Sequence, residues 1–403
     1  MDAHRSHPTH EIAWSEVADD FVTECSRRVL MSLPRRDQRE RGELYVSGLL
    51  SLTGRKSMRS IASITGGGAA EQRLHHFISK SSWDWVPVRK ALAAHLDRAL
   101  DPCAWVVKPM VVLKAGRHTV GVAESFVPHL GQVVNNQRSY GVWLANDRHS
   151  APVNWRLLLS GDWLGDARRR RRAEIPEPVG AGDLASLPAA TATTTALEIA
   201  RGWGLRRRPI VMDARDENAA ALVGSLSAAD VPFVLRISGA TRLIGVDATR
   251  AGGRLQVAMA QRLAEAAGRA GYAMQWMHRA GPGTPPVQVV RTEVMLPPET
   301  GATGPLLMVG ALPPGEPRSQ ELWLSNMTKV PATAVIRLGG LVERVNQDFS
   351  EISVRVGAMD FEGRTFGGWH RHITLSSVAQ GIVTLSAVRN KAGDPTLDDF
   401  QLA

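Results

Sequence analysis

The chain has 403 residues, 44% of them hydrophobic, and a formal net charge of +9. That is material for one large domain or two to three smaller ones, each with its own core. No stretch approaches the run of about eighteen apolar residues that a membrane-spanning helix needs, so no such helix is expected. The opening MDAHRSHPTHEIAW has neither a signal-peptide nor a transit-peptide pattern, which makes the cytoplasm the expected compartment. Cys25 and Cys103 sit in no CxxC pair and read as small buried hydrophobes in a reducing environment. The positive balance rests on Arg far more than Lys and favours an anionic partner, nucleic acid foremost, although GC-rich coding also raises Arg.

Residues 11–31 carry apolar positions at helical spacing, and a second helix is predicted over 38–52. Two short helices follow, broken by the Gly66-Gly67-Gly68 run, with basic flanks that suggest a helical module able to lie against a DNA backbone. From residue 104 the pattern turns to strands: AWVVKPMVVL, HTVGVAESFVP, VVNNQRSYGVWLAN and APVNWRLLL read as an antiparallel meander. The five arginines Arg168, Arg169, Arg170, Arg171 and Arg172 form either a solvated helix face or a phosphate-contacting patch.

Further on, Leu184 to Trp203 reads as a helix, and Pro209 to Met212 as a short buried strand that delivers Asp213 at its carboxyl end. A helix near 217–229 and a strand at 232–238 continue this strand-helix alternation of the α/β class. Residues 239–340 are richer in Gly, Pro and Thr, with candidate strands at 254–258, 287–295, 305–311 and 319–325, and read as an inserted β-rich layer. The final polar stretch AGDPTLDDFQLA is expected to be partly disordered.

Nucleotide-binding signals are poor. Gly180-Ala181-Gly182 does not complete a GxGxxG, and no GxxxxGK[ST] is present. The pairs His75-His76 and His370/His372 do not share a helix face, so they read as surface or DNA-facing side chains and not as metal ligands.

The blocks KAGRHTVGVAES (114–125), NNQRSYGVWLA (135–145), WLGDARRRRRAEIPE (163–177), PIVMDARDE (209–217), ELWLSN (321–326) and DFEGRTFGGWHRHITL (360–375) together resemble bacterial insertion-sequence transposases of the DDE type. They resemble the branch with a β-rich insertion before the last acidic residue. The resemblance implies an RNase H-like core with a mixed central sheet, an N-terminal helical region over 1–100, core segments at 101–238 and 341–403, and the insertion at 239–340. It implies double-stranded DNA as partner, a possible homodimer, a nucleoid-associated cytoplasmic location, and two Mg²⁺ ions held by Asp, Asp and Glu.

Here the chain departs from the family. The first Asp aligns with Lys108 and the Glu with Asn346, leaving Asp213 as the single retained acid. Val342, Ser353 and the Asp216-Glu217 pair replace further family positions. An ammonium within about 4 Å of a divalent ion is strongly unfavourable, so no metal or other cofactor is expected, and Lys108 is expected to form an ion pair with Asp213 instead. Glu343 or Asp348 are the alternative acids for the Glu; the strand from Ala104 to Leu113 offers none for the first Asp. Candidate DNA contacts are Arg168 to Arg172, Trp369, His370 and Arg371. The expected function is a transposase-family DNA-binding protein that has lost catalysis and serves as a regulator. The alternatives are an active DDE transposase that cuts and joins element ends, or a decayed remnant.

Overall fold

A computed structural model describes residues 19–64, 68–177, 188–246, 256–269, 273–276, 287–302, 304–312 and 321–392. The Gly180-Ala181-Gly182 turn, most of the glycine run at 66–68, the start of the 11–31 helix and the polar tail beyond residue 392 lie outside the described residues.

The chain opens with five helices: α1 (Asp19–Leu30), α2 (Arg36–Ser51), α3 (Met58–Ser63), α4 (Gly68–Ser79) and α5 (Trp85–Leu100). Caps fix two of their starts: Ser57 accepts from Ser60 N–H ahead of α3, and Asp84 accepts from Val86 N–H ahead of α5. The strands β1 (Ala104–Leu113), β2 (Val122–Val127), β3 (Gln132–Ala145) and β4 (Ser150–Leu157) follow. Their pairings with one another are all antiparallel, but they do not form a simple meander. β1 pairs with β3, and β2 and β4 lie end to end along the other side of that long strand.

Beyond β4 come α6 (Gly161–Gly165), the arginine helix α7 (Ala167–Arg172), α8 (Pro188–Gly202), β5 (Ile210–Asp213), α9 (Ala219–Ala228) and β6 (Phe233–Ile237). β5 lies parallel to both β1 and β6, which makes the sheet mixed. Parallel strands of this kind are buried on both faces and need long apolar runs, which AWVVKPMVVL and IVMD supply. Pro109 is tolerated inside β1 because β5 pairs only with Trp105 to Val107, so the missing N–H falls beyond that ladder.

Residues 239–340 supply six more described strands, β7 (Arg242–Gly245), β8 (Val257–Met259), β9 (Ala273–Trp276), β10 (Val287–Met295), β11 (Leu306–Leu312) and β12 (Glu321–Ser325). They do not stand apart as a separate layer. β12 runs antiparallel to β6, with Leu324 opposite Leu235, so β2-β3-β1-β5-β6-β12-β11-β10-β7-β8 form one continuous path.

A helix over Leu341–Asp348, a π-helical turn over Phe349–Ser353 and a long closing helix over Phe366–Ala392 end the described chain. From Gly368 to Ser386 every residue of the closing helix is buried, between β4 on one side and α1, α2, α4 and α5 on the others. A helix buried all round is normally apolar. This one carries Ser and Thr, and their hydroxyls bond back one turn: Thr374 to the His370 carbonyl at 2.7 Å, Ser377 to that of Ile373 at 2.8 Å, Thr384 to that of Gln380 at 3.0 Å.

Candidate functional site

The parallel register of β1 and β5 decides the geometry of the site. Val107 lies beside Met212, and the next residues along are Lys108 and Asp213. The helix Leu341–Asp348 brings Asn346 to the same place. Lys108 Nζ donates to Asn346 Oδ1 at 2.6 Å and lies 4.9 Å from the centre of the Phe349 ring. Burial pushes the Lys108 ammonium below its usual range, and the charges of Glu343 and Asp213 oppose that shift only in part. Around it opens a cavity of about 510 Å³ lined by Met110, Phe126, Arg138, Glu217, Val342 and Phe349 among others.

Asp213 does not pair with Lys108. Arg215, two residues past the strand end, turns back and grips its carboxylate through Nε at 2.9 Å and Nη2 at 2.7 Å, while Arg236 stands 3.9 Å away. The ion pair expected between Lys108 and Asp213 is therefore replaced by two separate contacts, Lys108 with Asn346 and Asp213 with Arg215. A short bidentate guanidinium within the same turn is a better partner for a carboxylate than an ammonium reaching across strands.

Two other acids nearby are also committed. Glu217 is bound by Arg138 and by the Tyr140 hydroxyl at 2.7 Å, and burial pushes its carboxyl up. Asp348 is buried and accepts from Ser150 N–H at 2.8 Å, Ser150 Oγ at 2.6 Å and Arg344 at 2.6 Å. These contacts tie it to β4 and to its own helix. Glu343 is exposed on the neighbouring helical face. A pair of Mg²⁺ ions needs several free carboxylate oxygens. The cavity lining offers Asp213, already clamped by an arginine, Glu217, bound by Arg138 and Tyr140, and the exposed Asp216, all beside the Lys108 ammonium. The residues do not fit the metal pair, and among the described residues no three His, Cys, Asp or Glu side chains are grouped to hold a metal ion.

The aromatic-basic block of the closing helix lies elsewhere. Trp369, His370 and Arg371 are only 1%, 4% and 9% exposed, so they are not the DNA contacts that their composition suggests. Arg371 donates to the carbonyls of Ile78 at 3.0 Å and Trp83 at 3.2 Å, tying the closing helix to α4 and the loop after it. His370 stacks on Trp85 at 4.6 Å and accepts from Arg89 at Nδ1. His372 accepts from the Tyr45 hydroxyl at Nδ1 and donates from Nε2 to the Gly357 carbonyl, both at 2.8 Å, and burial holds its pKa down at about 4. Both rings are neutral structural groups and not surface histidines.

Arg89 is the buried hub that the sequence reading missed. It donates to Thr374 at 2.7 Å, to Asn154 at 3.1 Å and to the Trp155 carbonyl at 2.7 Å, joining α5, β4 and the closing helix. Its place in the stripe Arg89, Leu92, Ala93, Leu96, Leu100 was the available signal, because that spacing keeps all five on one buried face of α5.

The arginine run does form a short helix on the surface, with its backbone start capped by Asp166. Arg170 leans back onto the Leu164 carbonyl and Glu177, while Arg168, Arg171 and Arg172 are exposed.

Comparison with curated proteins finds no match. A family comparison does: residues 28–267, more than half of the chain, match the family described as DDE superfamily endonuclease. The matched span runs from α1 through β1, β5 and Asp213, and the mixed sheet with parallel β1, β5 and β6 is consistent with the RNase H-like fold of that family. The chain belongs to the DDE superfamily endonuclease family.

Proposed function

We propose that this protein is a DDE-family member that binds double-stranded DNA without cutting it, a transposase-derived DNA-binding protein with a regulatory role. The observation that carries the reading is the Lys108–Asn346 hydrogen bond at 2.6 Å, between the two positions that the transposase resemblance assigns to the first Asp and the Glu. Asp213, the one acid retained at a family position, is held by Arg215, and among the described residues no three His, Cys, Asp or Glu side chains are grouped to hold a metal ion. DNA binding is supported by family membership, by the net charge of +9 and by the exposed arginines of α7. A homodimer able to hold two DNA segments and a nucleoid-associated place in the cytoplasm belong to the same reading. Among the described residues no helix is long and apolar enough to cross a membrane.

The test pairs a gel-shift titration of duplex DNA with a nicking assay in Mg²⁺ or Mn²⁺ on the same preparation. Binding without nicking supports the proposal. Metal-dependent nicking that disappears in Asp213→Ala returns the protein to the active transposases.

A further inference from the structure

Apart from the vacated acid site, the described surface has a second concave feature, a groove of about 560 Å³ lined by Arg117, His118, Arg168, Arg169, Arg172 and Arg364. Five guanidiniums face one carboxylate there, that of Asp166, and Asp166 is occupied by the backbone N–H groups of Arg168 and Arg169 at 2.8 and 3.0 Å. Three separate parts of the chain meet in it. Arg117 and His118 come from the segment between β1 and β2, the α7 arginines from the second wall, and Arg364 from the DFEGR block before the closing helix.

The placement of Arg364 is built. Phe366 N–H donates to the Ala173 carbonyl at 2.8 Å, which ties the block to the end of α7, and Lys114 Nζ donates to the Phe361 carbonyl at 2.7 Å, which ties it to the end of β1. Glu362 is held by Arg55 on the opposite flank. Arg168 and Arg172 lie one helical turn apart on one face of α7, a spacing of roughly 5–6 Å between their Cβ atoms. Among the described residues neither they nor Arg364 enter an ion pair, and all three are exposed.

We infer that this groove clamps the sugar-phosphate backbone of duplex DNA, with Arg364 of the signature block as its anchoring contact. The inference rests on the DNA-binding reading above and names the site where that binding occurs. Guanidinium forks from several directions along an open groove suit a row of phosphates better than a single small anion. Trp163 in the lining is buried, bonded to the Val122 carbonyl at 2.9 Å and covered by Arg169 at 3.9 Å, so its face is not offered to a base, and the exposed His118 ring stands among five guanidiniums. The contact is therefore to the backbone, and independent of sequence.

The test measures binding of the full-length protein to a fluorescent duplex of arbitrary sequence across a salt series, for wild type, Arg364→Ala, Arg364→Lys and Arg168→Ala/Arg172→Ala. Each lost phosphate contact lowers the slope of log affinity against log salt by about 0.9. Arg364→Ala should lose about one unit of slope and roughly tenfold in affinity at about 0.1 M salt, the double variant about two units, and Arg364→Lys should keep the slope. Because these side chains are exposed, an unchanged melting temperature confirms that the variants fold. Wild-type binding with all slopes unchanged overturns the groove while leaving DNA binding intact. A wild type that binds no duplex DNA overturns both readings, and equal affinity for duplex RNA overturns the choice of DNA.

Discussion

Lys108 and Asn346 meet at 2.6 Å, ammonium to amide oxygen, at the point where β1 and the helix Leu341–Asp348 converge beside Asp213. The pair fills its corner with one cation and one neutral acceptor. Removing the acceptor alone leaves a half-buried ammonium without its hydrogen bond, at a cost of about 1–3 kcal/mol. Asn346→Leu should therefore lower the urea-unfolding free energy by that amount, and Lys108→Met in the same background should recover most of it. A double-mutant cycle showing no coupling between the two positions would remove the pair from the account.

The clamp on Asp213 leads to a different expectation. Its side chain is 24% exposed and that of Arg215 is 50% exposed, so water screens the interaction. Asp213→Ala should shift stability by no more than about 1 kcal/mol. A larger loss on chemical denaturation would show that Asp213 has become a structural keystone.

The neutral imidazole of His372 makes the fold acid-sensitive. Burial lowers its pKa from 6.5 to about 4. Between those values the unfolded chain binds a proton that the folded chain does not, so stability rises with pH across the window and is lost as pH falls from 6.5 toward 4. By about pH 5 this ring alone accounts for about 2 kcal/mol of loss, as an order of magnitude. Urea titrations at about pH 7 and about pH 5 should show that His372→Gln, though less stable, loses less on acidification than wild type. An identical pH dependence in both proteins would contradict this.

Gly141 lies directly opposite Lys108 on β3, and an added Cβ there would stand 2.7 Å from the Trp155 ring. Trp155 is buried and its Nε1 donates to Ser377 at 2.9 Å, so the ring has little room to move. Gly141→Ala should destabilise by about 1–3 kcal/mol through overpacking, read as a lower melting temperature. A neutral result would mean that the contact between β4 and the closing helix is looser than the structure describes.

The sequence made the strands around the site legible because β1 and β5 are short runs of Val, Ile and Met bounded by turns. It also exposed the anomaly of Lys108 within an otherwise apolar strand. The partners of the charged groups were not legible. Arg215 takes Asp213 because the chain turns back on itself after β5, a local geometry that the residue types do not state. The pairing of β12 with β6 joins segments far apart in sequence, and alternation identifies a strand without naming its neighbour. Trp369, His370 and Arg371 misled for a related reason. A basic, aromatic helix reads as surface until the α4–α5 region and α2 are known to cover it and to supply the Ile78 and Trp83 carbonyls, Arg89 and Tyr45 as partners.

The central claim is that the DDE metal centre has been replaced by a cation and an arginine clamp. Calorimetric titration of the purified protein with Mn²⁺ addresses it most directly, compared with Asp213→Ala and with the restored-acid variant Lys108→Asp/Asn346→Glu/Arg215→Ala. The account predicts no saturable binding by wild type, an unchanged trace for Asp213→Ala, and a site that appears only in the restored-acid variant. A wild-type Mn²⁺ site that vanishes on Asp213→Ala would contradict it.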